Sequence, residues 1–207
     1  MNNSFENTLI PIVVEKDPKG FERSYDIYSR LLKDFIVFVT GPIDLGTANT
    51  FIAQMLFLEN EDPERDINIY INSPGGVTYA GKAMYDTIQH VKNEVSTINV
   101  GLAASAAVLL LAGGSNGKRF ALPHAKTMIH QTRIMGGGLE GTATDIEIEA
   151  KEMIKSKEAY AKVISECTGQ KYEKVMQDIE RDKWFDAKET LEYGLIDHIM
   201  NPKKQRK

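Results

Sequence analysis

The run Gly101-Leu-Ala-Ala-Ser-Ala-Ala-Val-Leu-Leu-Leu-Ala112 constrains this chain more than any other stretch. From Ala103 to Ala112 only Ser105 has a polar side chain, and the run is too short to cross a bilayer. It is helix-forming and apolar enough to be buried in a protein core. A strand-like segment, residues 95–100, leads into it through Gly101. This arrangement places Ser105 in the first turn of a buried helix. There the free N–H groups of the helix start favour negative charge, which suits a nucleophile. The ordinary use of a serine at such a point is as a helix N-cap. The run also lacks the flanking glycines of a nucleophile elbow. A base, an orienting acid and oxyanion donors must therefore come from elsewhere in the chain.

The elements around this run alternate. Residues 35–39 and 67–72 read as strands, residues 47–59 and 77–91 as helices, and residues 120–122 and 127–129 as short strands. On the helix over 47–59, the spacing places Ile52, Met55 and Leu56 on one face. Residues 25–32 read as a short helix after the apolar start at Leu9 and a turn at Asp17-Pro18-Lys19-Gly20. Alternation of this kind predicts an α/β fold with parallel βαβ units and a site at the C-terminal ends of the strands. Gly75-Gly76, Ser105 and His130 all fall at such ends.

The longest helical pattern covers residues 143–167 and stops at Thr168-Gly169. It is heavily charged, with a thin apolar stripe of Ile146, Ala150, Met153 and Ile154. That pattern reads either as a solvated surface helix or as a projecting arm for oligomerisation. Helices over 172–181 and 187–193 and a last strand near 195–199 close the chain.

With 25 basic and 29 acidic residues the net charge is −4, which argues against nucleic acid as the main partner. Cys167 is the only cysteine, so no intrachain disulfide can form and a cytoplasmic setting is expected. The first residues are polar and do not resemble a signal peptide.

Among the histidines, His130 ends a strand and precedes a glycine-rich loop, so position favours it as a base over His124, His90 and His198. Gly75-Gly76 follows a strand and leaves backbone N–H groups open to a substrate, although Ser-Pro-Gly-Gly is also ordinary turn chemistry. Carboxylates are abundant. The stretch from Asp178 to Asp182, with Glu180 between, is the densest source of an acid, and spacing does not choose within it.

Several segments, in order and with matching spacing from about Leu9 to Met200, resemble the proteolytic subunit of the Clp protease, the ClpP family. They are Asp26 to Leu32 (Asp-Ile-Tyr-Ser-Arg-Leu-Leu), Tyr70 to Gly76 (Tyr-Ile-Asn-Ser-Pro-Gly-Gly), Gly101 to Ser105, Met128 to Gln131, Ala143 to Ile148, Thr168 to Gln170, and Tyr193 to Asp197. The resemblance implies a crotonase-like fold in one serine peptidase domain over residues 1–207. It implies Ser105 as nucleophile, His130 as general base and Asp182 as the acid. The backbone N–H groups of Gly76 and Ala106 would form the oxyanion hole. Asp182 would also raise the pKa of His130.

Two stacked seven-membered rings are implied, built of this chain or mixed with a second ClpP. An AAA+ unfoldase of the ClpX, ClpA or ClpC type would feed them unfolded protein. That partner uses the ATP, so no cofactor and no metal is expected in this chain. Residues 1–20 would form an axial segment, and residues 134–168 the strand and handle helix of ring–ring contact. Glu180 and Arg181 fall where the family places an inter-ring ion pair. The chain departs from the family pattern at Ala106-Ala107, where methionine and a small residue are usual, and at Thr132, where proline is usual. It departs again at Asn68 and His90, where the pocket for the unfoldase loop is often aromatic.

Overall fold

The computed structural model describes residues 9–16, 19–133 and 138–201. It opens with an antiparallel hairpin of β1 (Ile12–Lys16) and β2 (Glu22–Asp26). Strand β2 and helix α1 (Ile27–Leu32) divide the segment expected to be helical throughout. Asp26 sets the boundary: its carboxylate caps the Ser29 N–H at 3.0 Å, so the helix begins after it.

The main sheet has seven strands. Strands β3 (Ile36–Thr40), β4 (Ile67–Ser73), β5 (Val95–Ala104), β6 (Arg119–Ala121) and β9 (His198–Ile199) lie in that order and pair in parallel. Strand β7 (Lys126–Ile129) also pairs in parallel with β5, and β8 (Lys183–Phe185) pairs antiparallel with β7. Strand β5 therefore forks the sheet: its first half holds β6 and its second half holds β7. Helices α2 (Leu45–Glu61), α3 (Thr78–His90) and α4 (Ala106–Ala112) follow β3, β4 and β5, giving the expected α/β alternation.

Every residue of α4 is buried, as a helix apolar on all sides requires. It lies in one hydrophobic cluster with Ile67, Ile69 and Ile71 of β4, and with Met84 of α3. On α2 the buried face is Ala48, Phe51, Met55 and Leu58. Leu56 is exposed and Ile52 only half-buried, so the face expected from spacing is displaced by about one residue.

Strand β5 runs on to Ala104 instead of ending at Val100. Gly101 does not stop it. A Cβ there would lie 2.7 Å from the Asn72 Oδ1, which accepts from the Leu102 N–H at 3.1 Å. The glycine admits the asparagine where the β4–β5 register shifts between Ile71 and Ser73.

Helix α5 (Ala143–Thr168) starts at a capping box of Thr142 and Asp145 and ends at Gly169, whose φ is 72°. Its buried residues are Tyr160, Ala161 and Ile164, all in its second half. Of the apolar stripe, Ile146, Ala150 and Ile154 are exposed and Met153 is half-buried, so the described residues leave most of it uncovered; Ile148 is exposed beside it. Helix α6 (Tyr172–Asp178) stops three residues short of the expected end, and α7 (Ala187–Tyr193) matches its expected bounds. The partly buried ion pair of Arg119 with Asp197, at 2.6 Å, fixes the last strand beside β6. The glycine stretch expected to carry a further strand falls partly on residues 134–137, outside the described residues. So do the first eight residues and the basic tail from residue 202.

Candidate active site

Strand β5 delivers the chain to Ser105, which adopts φ 55° and ψ −124° before α4 begins. That is a sharp strand-to-helix turn in a conformation strained for any residue with a Cβ, at a cost of about 1–3 kcal/mol. Three hydrogen bonds hold it. The Ser105 N–H donates to the Met128 carbonyl of β7 at 2.8 Å. The Ser105 carbonyl accepts from the Val108 N–H at 3.0 Å and from the Tyr160 hydroxyl of α5 at 3.2 Å. Both peptide groups of the turn are thus occupied, and the Oγ is left to bond His130. The elbow forms without its usual flanking glycines because alanines 103, 104, 106 and 107 are small enough to pack there, all of them buried.

The Ser105 Oγ lies 2.8 Å from the His130 Nε2, and the His130 Nδ1 lies 3.0 Å from the Asp182 Oδ1. Antiparallel pairing explains the second contact. In the β7–β8 register Thr127 faces Phe185, Met128 faces Trp184 and Ile129 faces Lys183. One further step places His130 opposite Asp182. Beyond it the Gln131 N–H donates to the Ile179 carbonyl at 2.7 Å, and its side-chain amide donates to the Glu180 carbonyl at 3.0 Å. The segment bearing Asp182 is therefore bonded to the segment bearing His130 on both sides of the pair.

The other acids of that stretch are engaged elsewhere. Asp178 binds Lys174, Lys183 and the Tyr193 hydroxyl, and Glu180 binds Lys157 at 2.6 Å. His124 is exposed in its loop, and His198 stacks on Phe120.

The loop after β4 completes the site. Gly75 has φ 84° and Gly76 φ 159°. A Cβ on Gly75 would lie 2.8 Å from the Ser105 Cβ and 2.9 Å from the Ala106 nitrogen, so the loop touches the start of α4. A Cβ on Gly76 would lie 2.1 Å from the Ile43 carbonyl oxygen. Ile43 grips this loop by donating its N–H to the Gly75 carbonyl and accepting from the Val77 N–H. The Gly75 N–H is used by the Ser73 Oγ at 3.1 Å. The Gly76 N–H has no partner among the described residues, and the Ala106 N–H heads α4 where no intrahelical acceptor exists.

His130 is 8% exposed and Asp182 44%. Burial pushes the His130 pKa below its usual 6.5, and the nearby Arg133 guanidinium pushes it the same way. Asp182 pulls it upward without reversing the result. The expected rise is therefore a fall. Arg133 explains part of this, since its Nη1 lies 3.5 Å from the same Asp182 oxygen that faces His130. Neither Arg133 nor Tyr160 stands out in the sequence as part of this site. A tyrosine amid the charges of α5 is the only signal that marked the latter. No group of three or more His, Cys, Asp or Glu side chains among the described residues is placed to hold a metal ion.

The family model described as Clp protease matches residues 19–203. That span contains both glycines of the loop, the strained serine, the histidine and the carboxylate described above. With nearly the whole length matched, and with the parallel sheet and its projecting helix in place, the chain belongs to the Clp protease family.

Proposed function

We propose that this chain is a serine endopeptidase subunit whose nucleophile is Ser105, whose general base is His130 and whose orienting acid is Asp182. The observation that supports it most is the unbroken hydrogen-bonded series from the Ser105 Oγ through His130 to Asp182, set on a strained turn. Asp182 accepts the Nδ1–H and so leaves the Nε2 lone pair facing the serine. As the Oγ attacks a peptide carbonyl, the Nε2 takes its proton. The N–H groups of Gly76 and Ala106 stabilise the oxyanion. His130 then gives the proton to the departing amine, leaving an acyl ester on Ser105. Water, deprotonated by the same imidazole, releases the acid and restores the serine.

Assembly into two stacked rings, of this chain alone or with a second ClpP, is part of the same reading. The exposed Ile146, Ile148 and Ile154 of α5 and the exposed Leu9, Ile10, Ile12 and Val14 near the start favour cover by other subunits. An AAA+ unfoldase would supply unfolded protein and consume the ATP, in a cytoplasmic setting. No helix among the described residues is long and apolar enough to cross a membrane.

An alkyl fluorophosphonate tests the nucleophile. It is expected to add to Ser105 of the assembled particle, and peptide mass mapping locates the adduct. An assembled particle whose Ser105 stays unlabelled is a structural ring subunit, and the reading fails.

The pH dependence follows from the His130 environment. Only neutral His130 can accept the serine proton, so activity is lost as pH falls through its pKa. Because that pKa is depressed, the midpoint of the acid-side fall in kcat/KM for a peptide is expected below pH 6.5, the usual histidine value. Arg133→Gln removes a charge that opposes protonation, so its acid limb is expected at higher pH. A limb above pH 7 in the parent, or one unmoved by Arg133→Gln, contradicts this electrostatic account. Sedimentation across the same series separates protonation from dissociation of the particle.

A further inference from the structure

Three half-buried polar side chains meet beside the nucleophile without a role in the chemistry above. The Lys82 Nζ of α3 donates to the Ser156 Oγ of α5 at 3.3 Å. The Thr132 Oγ1, two residues past His130, donates to the same oxygen at 3.4 Å. Each lies within four residues of one that touches the Ser105 turn: Gly81, Tyr160 or His130. Gly81, the neighbour of Lys82, packs so closely on Ala106 that a Cβ there would lie 2.7 Å from the Ala106 Cβ. Ser156 is one helical turn before Tyr160, whose hydroxyl binds the Ser105 carbonyl.

The donors at this point outnumber the acceptors. An ammonium has three N–H donors and no acceptor, and Ser156 spends its oxygen on Lys82 and Thr132, leaving its own O–H to donate. Lys82 forms no ion pair among the described residues, and Asp86 one turn along the helix acts on it only at longer range. Partial burial leaves this charge poorly solvated, so an aliphatic side chain seated here would strand polar groups. An acceptor-only anionic group would satisfy them. In a peptide, the residue whose carbonyl is attacked has its side chain nearest the nucleophile.

We propose that Lys82, Ser156 and Thr132 form the specificity subsite next to Ser105, and that it selects substrates with a glutamate or aspartate on the acyl side of the cleaved bond. This rests on Ser105 being the nucleophile. The Lys82 ammonium and the Ser156 hydroxyl donate to the carboxylate, and Thr132 holds Ser156 in place.

The test compares two peptidyl diphenyl phosphonates that differ only in a glutamate-like or leucine-like side chain beside phosphorus, on the assembled particle. The Ser105 Oγ displaces phenoxide from phosphorus and its proton passes to His130, so the labelling rate reads the subsite directly. The glutamate-like probe is expected to label the parent about tenfold faster than the leucine-like one, the order of a partly screened charge pair. Lys82→Met is expected to abolish or invert that ratio, and Lys82→Arg to retain it. A parent that favours the leucine-like probe, or a ratio unmoved by Lys82→Met, overturns the subsite while Ser105 keeps its role. Failure of the parent to take the alkyl fluorophosphonate overturns both.

Discussion

Ser105→Ala is expected to lower peptide hydrolysis by about 10⁶-fold, as loss of a serine nucleophile does in an assembled triad. His130→Ala is expected to match it, because the two act as one unit and removing either leaves only binding and the oxyanion donors. The fold is expected to survive Ser105→Ala. The lost hydrogen bond to His130 contributes about 1 kcal/mol, and the backbone bonds to Met128, Val108 and Tyr160 remain. His124→Ala, in an exposed loop, is expected to keep parental activity. Steady-state peptide hydrolysis with sizing of each particle checks all three. Residual turnover near the parental rate in Ser105→Ala removes it from the chemistry, and an inactive His124→Ala beside an active His130→Ala transfers the base.

Asp182→Asn is expected to cost about 10⁴-fold in kcat with the particle intact. An asparagine can turn its amide toward the Nδ1 and donate, which stabilises the tautomer with hydrogen on Nε2. That tautomer cannot accept the serine proton. The substitution also removes the charge that Arg133 faces at 3.5 Å. Glu180, two residues away, keeps its bond to Lys157, so the surrounding loop retains an anchor. Kinetics with sedimentation of the same preparation separates the outcomes. An intact, inactive particle supports the orienting role, an intact and active one refutes it, and a dissociated one shows Asp182 to be an assembly residue.

The alternation of strands with helices and the buried helix were legible because their signals are local. The alternation of Ile67, Ile69 and Ile71 and the all-apolar α4 require nothing beyond neighbouring residues. Ser105 and His130 were legible as ends of such elements. Asp182 was not. Spacing left Asp178, Glu180 and Asp182 equivalent, and only the resemblance separated them. What brings Asp182 to His130 is the antiparallel register of β8, a strand too short to announce itself in sequence. Lys82 and Ser156 failed to stand out for a similar reason. Thr132 was marked only as a departure from the family's proline, and the meeting of all three is tertiary. The same holds for the depressed His130 pKa, since burial outweighs the one partner that sequence could suggest.

The pairing of β7 with β8 also fixes when the machinery can come into being. His130 and Asp182 are 52 residues apart in the chain, and the acid is the later of the two. A ribosome adding about 5–20 residues per second needs roughly 3–10 s to cover that distance. Through that interval the nascent polypeptide holds its serine and histidine with no carboxylate to orient the imidazole. The bonds from Gln131 to Ile179 and Glu180 are missing as well. A truncated product ending before β8 would keep Ser105 and His130 yet lack the carboxylate that bonds the imidazole. Placing that carboxylate so late in synthesis delays completion of the Ser105–His130–Asp182 hydrogen-bonded series until the chain is nearly made.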